Sequence, residues 1–128
     1  MSQAADLPLR RSRQELEAAE ALLEADFPGQ AVSRAYLAGF HAASAALATV
    51  GERPATSTGV ISAFGRHLVG EDGVDHECGR SLRRLYEDSR EVDYGLAEAP
   101  AGEARKAVDD AQRLVEATAA WLERRRSA

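Results

Sequence analysis

The sequence predicts an all-α protein, an antiparallel bundle of four long helices plus one short helix. Three observations predict it. Apolar residues recur at spacings of three and four, and no segment alternates convincingly with period two. Hydrophobic residues make up 45% of the chain but aromatics only 5%, so the core must be built from Ala, Leu and Val, which suits closely packed helices. The segments between the periodic stretches are short, so helices adjacent in sequence are adjacent in space. A length of 128 residues suits one domain spanning residues 1–128, with residues 1–11 expected as a flexible lead-in.

Each element has its own signal. In "SRQE", Ser12 is placed to cap the backbone N–H of Glu15 while Glu15 reaches back, which marks a helix start. Leu16, Ala19, Leu23 and Phe27 then form one apolar stripe, and Pro28-Gly29 is expected to end the helix. The second helix is predicted over Gln30 to Val50, with Tyr36, Phe40, Ala43, Leu47 and Val50 at the 4-3 spacing of a packed helix. "GERPATSTG" is a loop whose Thr and Ser residues can cap the next helix. The short helix "GVISAFGRHLV" places Val60, Ile61, Phe64 and Leu68 on one side. Asp75 is positioned to cap the fourth helix, which runs to about Tyr94 with Leu82, Leu85, Tyr86, Ser89 and Val92 inward. After "GLAEAPAGE" the last helix turns Val108, Ala111, Val115, Thr118 and Leu122 inward.

Composition narrows the function. Cys78 is the single cysteine, so no intrachain disulfide forms and a reducing, cytoplasmic setting is expected. The first residues, "MSQAADLPLRRSRQ", lack the apolar core of a secretory signal. No apolar run approaches the roughly 20 residues of a membrane span. The formal net charge of −5 argues weakly against a whole-molecule field attracting nucleic acid. Arginines are nevertheless clustered in "RRSR", "GRSLRR" and "ERRR", and a local basic groove is possible if they converge.

The stretch with most chemistry is "EDSREVDYG", residues 87–95. On a helix, Arg90 and Asp93 are i,i+3 neighbours, and Arg90 and Tyr94 are i,i+4 neighbours. One face then carries a cation, an anion and a phenol. The plain reading is a helix-end ion pair followed by Gly95; the sharper one is a functional cluster. No two of His41, His67 and His76 have ligand-like spacing, so no metal or other cofactor is expected. Cys78 lies in a first helical turn, where a thiolate is stabilised, but without a matching base it is read as structural.

Three blocks resemble the HEPN domain family (higher eukaryotes and prokaryotes nucleotide-binding). "AVSRAYLAGFHAASAAL" is similar to that family's "AxSRAYYAxFHAAxALL", "PATSTGVISAFGRHLV" to "PxTHKGVxxxFGxxFV", and "LRRLYEDSREVDYG" to "LxxLxxxxRxADYG". The resemblance covers nearly the whole chain. It implies a helical bundle that dimerises about a two-fold axis and pairs, as a toxin, with a minimal nucleotidyltransferase antitoxin. Many such toxins are metal-independent endoribonucleases with an R-x(4–6)-H motif, and in some pairs the partner adenylylates a nearby tyrosine. This chain departs from the pattern at Leu37, Ser57 and Val92, and no histidine follows Arg90 at four to six residues. Arg34 and His41 satisfy that spacing, but on a helix where the family does not usually place it.

Cleaving RNA without a metal requires a proton acceptor for the 2′-OH, a donor for the leaving oxygen and a cation against charge on phosphorus. Arg90 suits the last role, and His41 suits proton transfer. Asp93 is expected to orient them, and Tyr94 to hydrogen-bond phosphate or accept a nucleotidyl group. Arg34, Arg83 and Tyr36 are the candidate RNA- or nucleotide-binding residues. Competing readings make His41, Tyr36 and Phe40 core residues and "ERRR" a solvated helix end. Three function classes follow: an endoribonuclease toxin, a non-catalytic nucleotide- or RNA-binding module, and a helical module that docks a partner. Toxicity on expression separates the first from the others.

Overall fold

The computed structural model describes residues 5–127 as five helices: α1 Asp6–Glu24, α2 Pro28–Thr49, α3 Ser57–His67, α4 His76–Asp93 and α5 Ala101–Ser127. Four are long and α3 is short, as the apolar periodicity dictates. Helix α2 is central and touches each of the other four. Its buried face is mostly small: Ala31, Ala35, Ala38, Gly39, Ala42, Ala43, Ala45 and Ala46 let neighbouring backbones approach closely. Larger side chains from the partners fill the remaining space, chiefly Phe64, Leu82, Leu85, Leu114 and Val115. Among the described residues, no helix is long and apolar enough to cross a membrane.

Three helix boundaries follow their cap residues. The Thr56 hydroxyl accepts a hydrogen bond from the Gly59 N–H at 3.0 Å, and the Asp75 carboxylate accepts one from the Glu77 N–H at 2.8 Å. Helix α4 ends in a Schellman turn. The Leu96 N–H donates to the Glu91 carbonyl at 2.8 Å and the Gly95 N–H to the Val92 carbonyl at 3.1 Å. Gly95 takes φ +70°, which a residue with a side chain resists.

The first helix corrects the sequence reading. It begins at Asp6 rather than Ser12, and Ser12 is buried inside it. Of the lead-in expected to be flexible, residues 1–4 lie outside the described residues and residues 6–11 are helical. The i,i+3 spacing of "SRQE" also occurs inside a helix. Here Glu15 leaves the backbone alone and pairs with Arg34 of α2 at 3.1 Å. Phe27 is not part of the α1 stripe either. The helix stops at Glu24, Asp26 adopts φ +68°, and Phe27 is half exposed as the N-cap of α2. Pro28 therefore begins a helix, where its missing N–H costs nothing.

The arginines near the end of α5 are more than a solvated terminus. Arg126 pairs with Asp6 of α1 at 2.7 Å, and Arg125 lies over the Trp121 ring at 4.8 Å. On the opposite face, buried Asp110 receives Lys106, Arg113 and Arg84, and Arg84 also bonds Glu77 at 2.9 Å. Arg84 thus braces α4 against α5.

Candidate functional site

The polar residues of "EDSREVDYG" come together, but not in the pairs their spacing suggests. Among the described residues, no carboxylate lies within 4.0 Å of the Arg90 guanidinium, so the helix-end ion pair with Asp93 does not form. Arg90 instead donates to the Tyr86 hydroxyl at 2.9 Å. Its guanidinium carbon sits 5.6 Å from the Tyr86 ring centroid and 5.4 Å from that of Tyr94. Two tyrosines one helical turn to either side therefore bracket an exposed cation. The Tyr86 hydrogen bond raises the Arg90 pKa further, keeping the group charged. Among the described residues the guanidinium makes no other hydrogen bond.

Asp93 points the other way and accepts a hydrogen bond from the Ser33 hydroxyl of α2. This contact ties the end of α4 to the start of α2, where Gly29 lets Val92 pack closely. Tyr94 occupies the C-cap position and is 69% exposed. Together Tyr86, Glu87, Arg90, Glu91, Tyr94 and Leu96 line a shallow cavity of about 300 Å³.

The other candidates are distributed around α2. Tyr36 is buried and stacks on Phe40 at 5.9 Å and on Tyr86 at 5.6 Å. It is a core residue that supports the Arg90 cluster through Tyr86. Burial raises its pKa, with Ser57 beside it acting in the opposite sense, yet its hydroxyl meets no partner of good geometry. His41 is half-buried, edge-on to Phe40, and its charged neighbours are Arg11 and Glu15 of α1. Arg34 faces the same helix through Glu15. Helices α1 and α4 do not touch, so within one chain Arg34 and His41 form a group separate from Arg90. Burial, then Arg11, push the His41 pKa below its usual value despite Glu15, so the imidazole is neutral near pH 7. Arg83 lies on the same helix as Arg90 but lines a different groove, between α3 and α4.

Apolar periodicity assigns Tyr86 only to the core, whereas the structure brings its hydroxyl to Arg90. Its i,i+4 spacing to Arg90 was the available signal. Cys78 behaves as a structural thiol: burial, then Asp75, push its pKa up and disfavour the thiolate. Among the described residues, no group of three or more His, Cys, Asp or Glu is placed to hold a metal ion.

Comparison with known proteins places this geometry in context. A family model described as "HEPN domain" matches residues 5–122. A suspected toxin of Methanocaldococcus jannaschii, MJ0605, is 32% identical over 105 residues, covering 82% of this chain and 78% of that protein. The UPF0332 protein PH1297 of Pyrococcus horikoshii is 34% identical over 82 residues, covering 64% of this chain and 58% of that protein.

Proposed function

The chain belongs to the HEPN domain family, and on that premise we propose that it is the toxin component of a toxin–antitoxin module. In this reading it is a cytoplasmic, metal-independent endoribonuclease that acts as a homodimer. A minimal nucleotidyltransferase neutralises it. The observation that carries the reading is Arg90: an exposed guanidinium, free of any carboxylate partner among the described residues and bracketed by Tyr86 and Tyr94. An exposed cation with no carboxylate partner of its own suits phosphate oxygens. The relative named as a suspected toxin supports the same reading.

The chemistry assigns one task to each group. A base removes the 2′-OH proton and the 2′-oxygen bonds to phosphorus. The bond to the 5′-oxygen then breaks, and that oxygen leaves with a proton. Arg90 neutralises the charge that gathers on the phosphoryl oxygens. His41, held neutral, is in the form that accepts a proton. It lies on the α1 side of α2, so its participation requires a second copy to bring Arg90 across that face. Homodimerisation is therefore part of the proposal. Asp93, anchored by Ser33, fixes the end of the helix that presents Arg90 and Tyr94. The Tyr94 phenol is exposed enough to attack a nucleoside triphosphate at its α-phosphorus, releasing pyrophosphate. That step would block the site and silence the toxin.

One observation favours the alternative of a non-catalytic RNA-binding or partner-docking module. Glu87 and Glu91 line the Arg90 cavity, and no histidine does. Carboxylates there repel phosphate and suit a cationic partner. Growth of a host expressing the wild type, Arg90→Ala or Tyr94→Ala, with mapping of RNA ends, decides between the two. The expected result is arrest with new 5′-hydroxyl ends for the wild type. Arg90→Ala should cut at least ~100-fold more slowly with unchanged circular dichroism. Harmless wild-type expression without new ends would defeat the nuclease reading.

A further inference from the structure

A second cavity, of about 520 Å³, lies between α3 and α4 and is larger than the one at Arg90. We propose that this groove holds the phosphate groups of an RNA strand and leads it along α4 to Arg90. The proposal rests on the RNA reading above and adds a site to it.

Helix α4 is polarised along its length, with Arg80, Arg83 and Arg84 against Glu77 in its first half and Glu87, Asp88, Glu91 and Asp93 against Arg90 in its second. All three arginines line the groove, against a single carboxylate, Glu87. In a chain of net charge −5 this is a local excess of positive charge, in a concave place where the field is focused.

The arginines are not equally committed. Arg84 is held by Glu77 at 2.9 Å and Asp110 at 3.4 Å, so it adds field but belongs to the fold. Arg80 bonds Glu77 at 3.0 Å and is largely exposed. An arriving phosphate can compete for it. Arg83 is exposed and, among the described residues, has no carboxylate within 4.0 Å. It is the guanidinium most open to bidentate phosphate contact.

The shape agrees with the charge. Gly65 of α3 and Gly79 of α4 line the groove, leaving it without side chains at two positions. A Cβ added at Gly65 would meet nothing within 4 Å, so the space beside it is open. The groove and the Arg90 cavity adjoin at Glu87, a carboxylate that the phosphates of a strand running from Arg83 to Arg90 must skirt. Arg83 and Arg90 are seven residues apart on one helix, roughly 10 Å of rise. That spans about three stacked nucleotides at roughly 3.4 Å each.

The test is fluorescence anisotropy with a labelled 15-nucleotide 2′-O-methyl RNA, which binds as RNA does but lacks the 2′-OH needed for cleavage. Two variants probe the groove by independent routes. Arg83→Ala removes a cation. Gly65→Glu adds a carboxylate in open space and leaves every arginine in place. Each should weaken binding at least ~5-fold at 100 mM salt. Arg83→Ala should also lower the slope of log K against log salt by about 0.7, the signature of one lost phosphate contact on a single strand. Melting followed by circular dichroism checks that both variants fold.

Wild-type affinity in both variants would overturn the groove assignment, as would failure of the wild type to bind the RNA at all. If ATP binds with the same sensitivity to Arg83→Ala while the RNA does not, the groove holds free nucleotide and the RNA assignment is wrong. The two readings fail separately. Groove variants that bind normally beside an inactive Arg90→Ala would remove only the groove. Groove-dependent RNA binding by a harmless protein would remove only the nuclease.

Discussion

Replacing Gly39 with alanine tests how tightly the bundle is closed beneath the site. Gly39 lies where α2 meets both α4 and α5. A Cβ built there would stand 2.9 Å from Leu114 Cδ2, 3.3 Å from Leu82 Cδ1 and 3.7 Å from Leu85 Cδ1. Carbon atoms rest at about 3.5–4.0 Å, so the Leu114 and Leu82 contacts must open by several tenths of an ångström. Alanine gains about 1 kcal/mol over glycine in a helix interior. Overpacking a filled core costs about 1–3 kcal/mol, and Leu114 is fully buried with little room to move. The net expectation is a loss of about 1 kcal/mol, or roughly 3–5 °C in Tm for a chain of this size.

A double-mutant cycle isolates the cause. Leu114→Ala alone should cost about 2–5 kcal/mol. In that background the tightest contact is gone and only the milder one to Leu82 remains, so Gly39→Ala should become stabilising by up to about 1 kcal/mol. The sign reversal amounts to a coupling of up to about 2 kcal/mol, read from urea melts of the four proteins. If Gly39→Ala stabilises both backgrounds equally, the three helices do not meet at this distance and the reasoning fails. The site should respond too, because Tyr36 stacks on Tyr86 and Ser33 bonds Asp93 across the same helix pair.

Two further outcomes are expected. Asp110→Ala removes the shared acceptor of Lys106, Arg113 and Arg84. Those partners are exposed enough to rehydrate, so the loss should be about 1.5–3 kcal/mol at neutral pH. Although burial opposes it, the cationic partners hold the Asp110 pKa below its usual value. Its contribution should therefore fade as pH falls through that lowered pKa, and equal wild-type and variant Tm shifts from pH 7 to pH 2 would contradict this. His41 has a folded pKa depressed by burial and Arg11. The unfolded chain then binds the proton more readily. His41-linked stability is complete above about pH 6.5 and lost as pH falls from there towards the folded pKa. His41→Gln should flatten the fall in Tm between pH 7 and pH 5; parallel curves for the two proteins would exclude the effect.

The fold was largely legible because it depends on local signals. The 4-3 apolar spacing, the Thr56 and Asp75 caps and Gly95 each act within a few residues, and each appears where those residues dictate. The start of α1 was not legible. A serine three residues before a glutamate looks the same as a cap and as one turn of a helix, and Glu15 was claimed by Arg34, nineteen residues away in sequence. The site was legible as a stretch but not as a set of pairs. Spacing joined Arg90 to Asp93, whereas the packing of α4 on α2 turned Asp93 to Ser33 and left Arg90 to the tyrosines. His41 and Arg34 share a helix face by spacing, but only the tertiary arrangement shows that this face looks towards α1. The α3–α4 groove needs two helices at once, and no single stretch encodes it.

The centrality of α2 has a consequence for synthesis on the ribosome. Translation delivers α1, α2, α3 and α4 in order, and Arg90 is in the chain before any of α5. Until α5 arrives, the alanine-rich face it covers stays open, including the place where Leu114 closes over Gly39. The residues from 91 to 127 take about 2–7 s to add at about 5–20 residues per second. During that interval the nascent chain carries the residues of the cluster without the finished bundle that fixes them. A chaperone or protease meets an apolar surface then that the completed protein no longer offers.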